Sequence, residues 1–185
     1  MNAPASFLNP LIPVFRFCPS CGKQTFSPES EKSFSCSACG LRYFINSACA
    51  VAVILINDNG ELLLTRRAFE PAKGLLDLPG GFVDIGEPAE AAMRREIREE
   101  LGLELSSLSF LCSRPNRYDY AGVTYYTTDL TFTSPLPSGT HLSLSDEIDS
   151  VEWVRPELIP FDRIGLESIR EILRYYQTKQ TGAYR

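Results

Sequence analysis

Glu96, Glu99 and Glu100 stand at i, i+3 and i+4, a spacing that on a helix puts three carboxylates on one stripe. Like charges so placed cost about 0.2–0.5 kcal/mol per pair, so a helix that gathers three of them calls for a compensating positive charge. A hard divalent cation, Mg²⁺ or Mn²⁺, supplies it, because such ions take oxygen ligands. The competing reading is a solvated charged face braced by the i,i+4 pairs Glu90–Arg94 and Arg95–Glu99. What precedes the helix favours the cation. Leu78-Pro79-Gly80-Gly81-Phe82-Val83-Asp84-Ile85-Gly86-Glu87 reads as a glycine-rich strand and loop, and glycines let backbone approach a ligand closely. Pro88 suits the first helical turn, and Gly102 is placed to end the helix.

Four of the six cysteines form a second constellation. Cys18-Pro19-Ser20-Cys21-Gly22 and Cys36-Ser37-Ala38-Cys39-Gly40 each carry metal-ligand spacing, with a trailing glycine that permits the tight turn. Four thiolates suit a closed, tetrahedral, structural Zn²⁺ site. Two disulfides or an iron–sulfur knuckle are the alternatives, and disulfides fit poorly with a chain read as cytoplasmic.

Residues 81–103 resemble the Nudix box, Gly-x5-Glu-x7-Arg-Glu-aliphatic-x-Glu-Glu-x-Gly-aliphatic. Gly81, Glu87, Arg95, Glu96, Ile97, Glu99, Glu100, Gly102 and Leu103 meet every defined position. The seven fixed residues would coincide by chance on the order of 10⁻⁹ per starting position. The resemblance implies an α/β fold, a Nudix-type α/β/α sandwich with a mixed sheet. It also implies Mg²⁺- or Mn²⁺-dependent hydrolysis of a nucleoside diphosphate linked to another group. It assigns Glu96, Glu99, Glu100 and the Gly81 carbonyl to the metal, and gives Glu87 and Arg95 the task of locking loop to helix. The general base is either a box glutamate or an acid of a later loop. Ser145-Asp146-Glu147-Ile148-Asp149-Ser150-Val151-Glu152-Trp153 resembles the late acid-then-tryptophan segment of many such enzymes, which nominates Glu147, with Asp146 behind it. A four-cysteine ribbon before the box is similar to zinc-containing members, NADH pyrophosphatases among them, and homodimers are common in the family.

The substrate is less sharply marked. Arg66, Arg67 and Lys73 are candidates for phosphate, since arginine can bind it bidentately. Tyr118 and Tyr120, with Tyr125 and Tyr126, could stack on adenine or ribose. Where the NADH-pyrophosphatase subgroup has Ser-Gln-Pro-Trp-Pro-Phe-Pro, this chain has Ser113-Arg114-Pro115-Asn116-Arg117-Tyr118-Asp119, and Leu76 replaces a frequent tryptophan. The expectation is therefore ADP-ribose or a related nucleotide sugar first and NAD(H) second. The rival of another class is a non-catalytic nucleotide sensor or a nucleic-acid- or protein-binding module. His141 has no partner in the sequence and reads as a loop histidine.

The elements that must position these groups follow from pattern. Residues 48–56 form a continuous apolar run, a strand buried on both faces; Asn57-Asp58-Asn59-Gly60 turns the chain into a returning strand to Arg67, a hairpin by its punctuation. Further strands are expected at Leu108–Cys112, Val123–Phe132 and Ser150–Val154. A helix over Gly165–Lys179 would bury Leu166, Ile169, Ile172, Leu173 and Tyr176. At 185 residues, 44% of them hydrophobic, the chain suits one main domain with an appendage: a tail over 1–16, a zinc ribbon over 17–46 and a hydrolase domain over 47–185. Phe17, Phe26, Phe34, Tyr43 and Phe44 would pad the ribbon, and Cys49 and Cys112 read as core residues. A net charge of −5 argues against a general grip on nucleic acid, although bound cations would still admit an anionic substrate. No apolar run reaches membrane-span length, and the tail, broken by Pro4, Pro10 and Pro13, lacks the basic start of a signal peptide. A cytoplasmic protein is expected.

Overall fold

The structure is a computed structural model that describes residues 11, 12 and 14–180, so most of the expected tail lies outside the described residues. The described residues divide into two compact units, one ending at Ser47 and including 117–126, the other of residues 48–116 and 127–180.

In the first unit, β1 (Phe26–Ser30), β2 (Ser33–Cys36) and β3 (Arg42–Phe44) form an antiparallel sheet in that order. Its core is Leu11, Cys18, Phe26, Phe34 and Cys36, with Phe15, Leu41, Ile45 and Val123 packed on it. The Phe26 and Phe34 rings stack at 5.1 Å. Two expectations change here. Phe17, Tyr43 and Phe44 are exposed, whereas Leu11 and Phe15, assigned to the tail, lie in the cluster. A module of about 30 residues has too little interior of its own and recruits apolar side chains from its flank.

A second sheet, most of it in the second unit, is made of β4 (Ala48–Ile56), β5 (Leu62–Arg67), β6 (Leu76–Asp77), β7 (Gly80–Phe82), β8 (Ser109–Tyr120), β9 (Val123–Pro135) and β10 (Ile148–Val154), of which residues 117–120 of β8 and 123–126 of β9 belong to the first unit. The strand order is β10-β5-β4-β9-β8, with β6 on β5 and β7 on β4. The β4–β9 pairing is parallel, and β4–β5, β4–β7, β5–β6 and β5–β10 are antiparallel, so the sheet is mixed. The continuous apolar run of β4 serves both faces by alternation. Val51, Val53 and Leu55 meet Ala92, Met93, Ile97 and Leu101 of α1 (Ala89–Leu101). Ala52 and Ile54 meet Ile169, Ile172, Leu173 and Tyr176 of α2 (Glu167–Gln180). Helices on both faces of a mixed sheet give the expected sandwich. No helix among the described residues is long and apolar enough to cross a membrane.

The expected β4–β5 hairpin holds only at its turn. Asn57 Oδ1 accepts the N–H groups of Asn59 and Glu61 at 3.0 and 2.9 Å, and the strands then pair in register only at Ile56↔Leu62. Beyond that they separate, and residues 76–82 fill the gap. Thr65 and Arg66 pair with Asp77 and Leu76, while Ala50, Val51 and Ala52 pair with Phe82, Gly81 and Gly80. Only glycine fits at position 80, where φ is +147° and a Cβ would fall 2.1 Å from the Val51 carbonyl oxygen. β8 runs eight residues past the expected end at Cys112 and includes Pro115, which its place at the edge of the sheet tolerates.

Candidate active site

Helix α1 is held at both ends by the segments that face its carboxylates. At its start Pro88 has extended geometry, φ −68° and ψ 146°, and Glu87 just before it reaches forward to Arg95. At its end Gly102 turns left-handed, φ 67°, and its N–H bonds the Arg98 carbonyl at 3.1 Å. The last carbonyls are then taken by a distant loop: Ser143 N–H donates to Leu101 and Ser145 N–H to Glu100, both at 2.9 Å. That contact anchors the loop carrying Glu147 against the helix end. The Glu147 carbonyl in turn accepts the Ala68 N–H at 3.0 Å, which ties the same loop to the end of β5.

The three glutamates divide. Glu99 is exposed, its side chain 59% accessible, whereas Glu96 and Glu100 turn inward. Glu100 Oε2 accepts the Gly80 N–H at 2.9 Å. Burial, reinforced by the nearby charges of Glu96, Asp77 and Glu147, pushes the Glu100 carboxyl up to about 8 against the pull of that hydrogen bond. Glu96 is raised too, first by burial and then by Glu99 and Glu147, with Arg95 opposing. Its carboxylate lies on Gly81, where a Cβ would come within 2.5 Å of it, so no other residue fits there unless Glu96 moves.

Arg95 is the brace. Its Nε and Nη2 grip Glu87 at 3.1 and 2.9 Å, Nη1 reaches Glu96 at 2.8 Å and Glu99 at 3.1 Å, and Nη2 also donates to the Phe82 carbonyl at 2.9 Å. This fork holds the Glu87 carboxyl below its ordinary range. One guanidinium against Glu87, Glu96 and Glu99, with Glu100 and Glu147 beyond its hydrogen bonds, leaves an excess of negative charge. Oxygen donors in that excess, two of them half-buried and raised, suit a hard divalent cation. Among the described residues these carboxylates do not converge as tightly as the cysteines do.

The two arginines proposed for phosphate point to opposite faces, since successive residues of a strand alternate. Arg66 shares the α2 face with Leu64. It donates to the Gly74 carbonyl at 2.6 Å and pairs with Glu152, which Arg163 also grips at 2.6 Å. These two arginines, Arg163 foremost, hold the Glu152 carboxyl low. Arg67 is on the α1 face with Leu63 and pairs with buried Asp77 at 2.7 Å. Both arginines are therefore engaged by internal carboxylates. Lys73 is exposed and without an ion-pair partner among the described residues. The side chains of Tyr118 and Tyr120 lie outside the described residues, while Tyr125, Tyr126 and His141 are exposed. Sequence reasoning missed Asp77 and the Ser143–Ser145 cap. An acid inside the apolar run Leu75-Leu76-Asp77-Leu78 was the one local signal, since a buried carboxylate must find a partner.

In the first unit the sulfurs of Cys18, Cys21, Cys36 and Cys39 all lie within 4.8 Å of one another. The Cys18–Cys39 and Cys21–Cys36 sulfurs are 3.6 and 3.7 Å apart, and all four are free thiols. The Thr25 hydroxyl, 3.2 Å from Cys36 Sγ, is the chief reason that the Cys36 thiol is held down to about 6, while against a backbone hydrogen bond at Leu41 the Cys39 thiol is pushed up to about 11 by burial and by the neighbouring sulfurs. A thiol held down in this way is ready to act as a metal ligand.

Comparison with known proteins fits this geometry. A family model described as NUDIX domain matches residues 47–176. A protein of Pseudomonas aeruginosa (strain LESB58) named NAD-capped RNA hydrolase NudC is 27% identical over 169 residues, covering 91% of this chain and 58% of that protein. The chain thus spans about three-fifths of that relative's length. Among solved structures, a MutT NUDIX hydrolase from Burkholderia pseudomallei aligns with a TM-score of 0.61 and 27% identity, over 70% of this chain and 98% of the other. A NUDIX hydrolase from Nitrosomonas europaea aligns with a TM-score of 0.65 and 21% identity, over 90% and 93%, a likeness of fold.

Proposed function

The chain belongs to the Nudix family, and we propose that it hydrolyses the diphosphate linkage of a nucleoside diphosphate derivative with Mg²⁺ or Mn²⁺. The observation that carries this reading is the set of acids against the glycine bend, where half-buried Glu100 accepts the Gly80 N–H at 2.9 Å and the Glu96 carboxylate lies on Gly81. On this reading Glu96, Glu99, Glu100 and the Gly81 carbonyl hold the cation. When bound, it neutralises the diphosphate and polarises the phosphorus centre. Glu147, anchored beside the helix end, takes the proton from the attacking water. Arg95 and Glu87 keep the glycine bend and the helix at a fixed separation.

ADP-ribose or a related nucleotide sugar remains the first substrate class. A second reading, NAD(H) or an NAD group at the end of RNA, draws on the name of the Pseudomonas relative. The four cysteines of the first unit hold a structural Zn²⁺ in this proposal. The chain would pair with a small nucleotide and, as is common in the family, with a second copy of itself, which sedimentation would reveal as a doubled mass.

A panel of ADP-ribose, nucleotide sugars, NAD⁺, NADH and NAD-capped RNA, incubated with Mg²⁺ or Mn²⁺ and resolved by chromatography, tests the reading. Cleavage into two phosphate-bearing products supports it and ranks the substrates. Tight binding without turnover across the panel would replace the hydrolase with a nucleotide sensor.

A further inference from the structure

Gly80 and Gly81 present an N–H to Glu100 and a surface to Glu96, yet two consecutive glycines have the greatest backbone freedom in the chain. On one side β7 fixes them against β4. On the other the Val53 N–H holds the Pro79 carbonyl at 3.1 Å, and Asp77 holds Leu78, the residue that opens the strap. Asp77 is 5% exposed, and its two oxygens are both engaged: Oδ1 accepts the Leu78 N–H at 2.8 Å and Oδ2 accepts Arg67 Nη1 at 2.7 Å. Arg67 Nε simultaneously donates to the Pro71 carbonyl at 2.7 Å, so the same guanidinium holds the loop between β5 and β6. Thr65 reaches the Asp77 carbonyl at 3.4 Å. Asp77 and Thr65 are register partners, and Thr65 and Arg67 point to one face of β5, the face that carries α1.

A buried ion pair is weak evidence for stability, because two apolar side chains of similar volume commonly do as well or better. What it provides is direction, through charge-assisted hydrogen bonds of fixed geometry. We propose that Arg67 and Asp77 are positioning residues that clamp the Leu78–Gly81 strap so that Gly80 and Gly81 meet the carboxylates of α1 in a cation-binding arrangement. The inference rests on the divalent-cation reading of the site. It also gives Arg67 a task different from gripping phosphate.

Mn²⁺ binding to the full chain, followed by electron paramagnetic resonance alongside thermal melting, tests it. Asp77→Asn should weaken Mn²⁺ binding about 10- to 100-fold, the usual cost of losing a group that orients metal ligands, and Arg67→Lys should do the same to a smaller degree. The double variant Arg67→Met/Asp77→Leu removes both charges together. It should regain the wild-type melting temperature while its Mn²⁺ affinity stays at least tenfold weak, which a merely structural pair would not do. If Asp77→Asn does not fold, the double variant and Arg67→Lys decide. Wild-type-like Mn²⁺ affinity in the folded variants would overturn the clamp alone. Absence of Mn²⁺ binding by the wild-type chain would overturn the cation reading beneath it.

Discussion

The cysteine cluster and the carboxylate cluster are both candidate metal sites, and they are assembled in opposite ways. Each cysteine pair is spaced by two residues around a tight turn, and the four sulfurs already lie within 4.8 Å of one another. Everything needed to aim them is in two short turns and three short strands. The carboxylates come from one helix, but what shapes them comes from far away in sequence: Gly80 from the strap, Glu147 from the loop that caps α1, Asp77 through Arg67. Arg95 bridges three of the acids. A closed set of local ligands suits a structural ion. An open set with distant supports suits an ion that must share its coordination with a substrate.

The largest effect should be at the closed site. Stripping the metal with a chelator should remove on the order of 10–16 kcal/mol of binding free energy, the scale of small zinc modules. Amide hydrogen exchange should show protection vanishing across β1, β2 and β3 while β4 and α1 keep theirs. Equal loss in both units would mean that the cysteine cluster is not a local staple.

At the open site Glu100→Gln should lower turnover about 10²- to 10³-fold, comparable to the loss of one preorganised electrostatic group, with circular dichroism unchanged. Near-normal turnover would place the reaction elsewhere.

The same carboxyl gives the open site a pH signature. It is pushed up to about 8 from an ordinary 4.5, so between those values the metal-free fold keeps a proton that the unfolded chain releases. Stability of the metal-free protein should therefore fall as pH rises through that window, by at most about 1.4 kcal/mol per pH unit from this group. Mn²⁺ affinity should rise over the same interval, because the cation displaces the proton. Denaturant melts from pH 5 to 8, with and without Mn²⁺, check both directions, and Glu100→Gln should flatten this component of each.

How far each site could be read from sequence follows from this difference. The glutamate stripe, the glycine bend and the cysteine knuckles are patterns of spacing within a few residues, and helix and turn geometry translate them directly, whereas the Arg95–Glu87 brace followed only from the resemblance to the Nudix box. The apolar face of α2 and the buried strand β4 were legible from spacing for the same reason. The split between β4 and β5 was not, because Asn57-Asp58-Asn59-Gly60 specifies a turn and leaves open how far the strands stay paired after it. The Arg67–Asp77 contact spans ten residues and exists only because β6 docks on β5. Leu11 and Phe15 escaped notice because nothing local distinguishes an apolar tail from a recruited one.

The smallest effect separates the two consecutive arginines. Arg66 and Arg67 are neighbours in sequence, and both were candidates for phosphate, but alternation sends them to opposite faces of β5. Arg66 joins Glu152 and Arg163 beside α2, away from the face that carries α1. Its ion pair is a quarter to a third exposed and part of a small network, a setting worth about 0–1 kcal/mol. Arg66→Met should leave KM and kcat within about twofold of wild type and lower the melting temperature by no more than a few degrees. A clear rise in KM would return Arg66 to the substrate, and would mean that binding reaches around the end of the sheet to the α2 face.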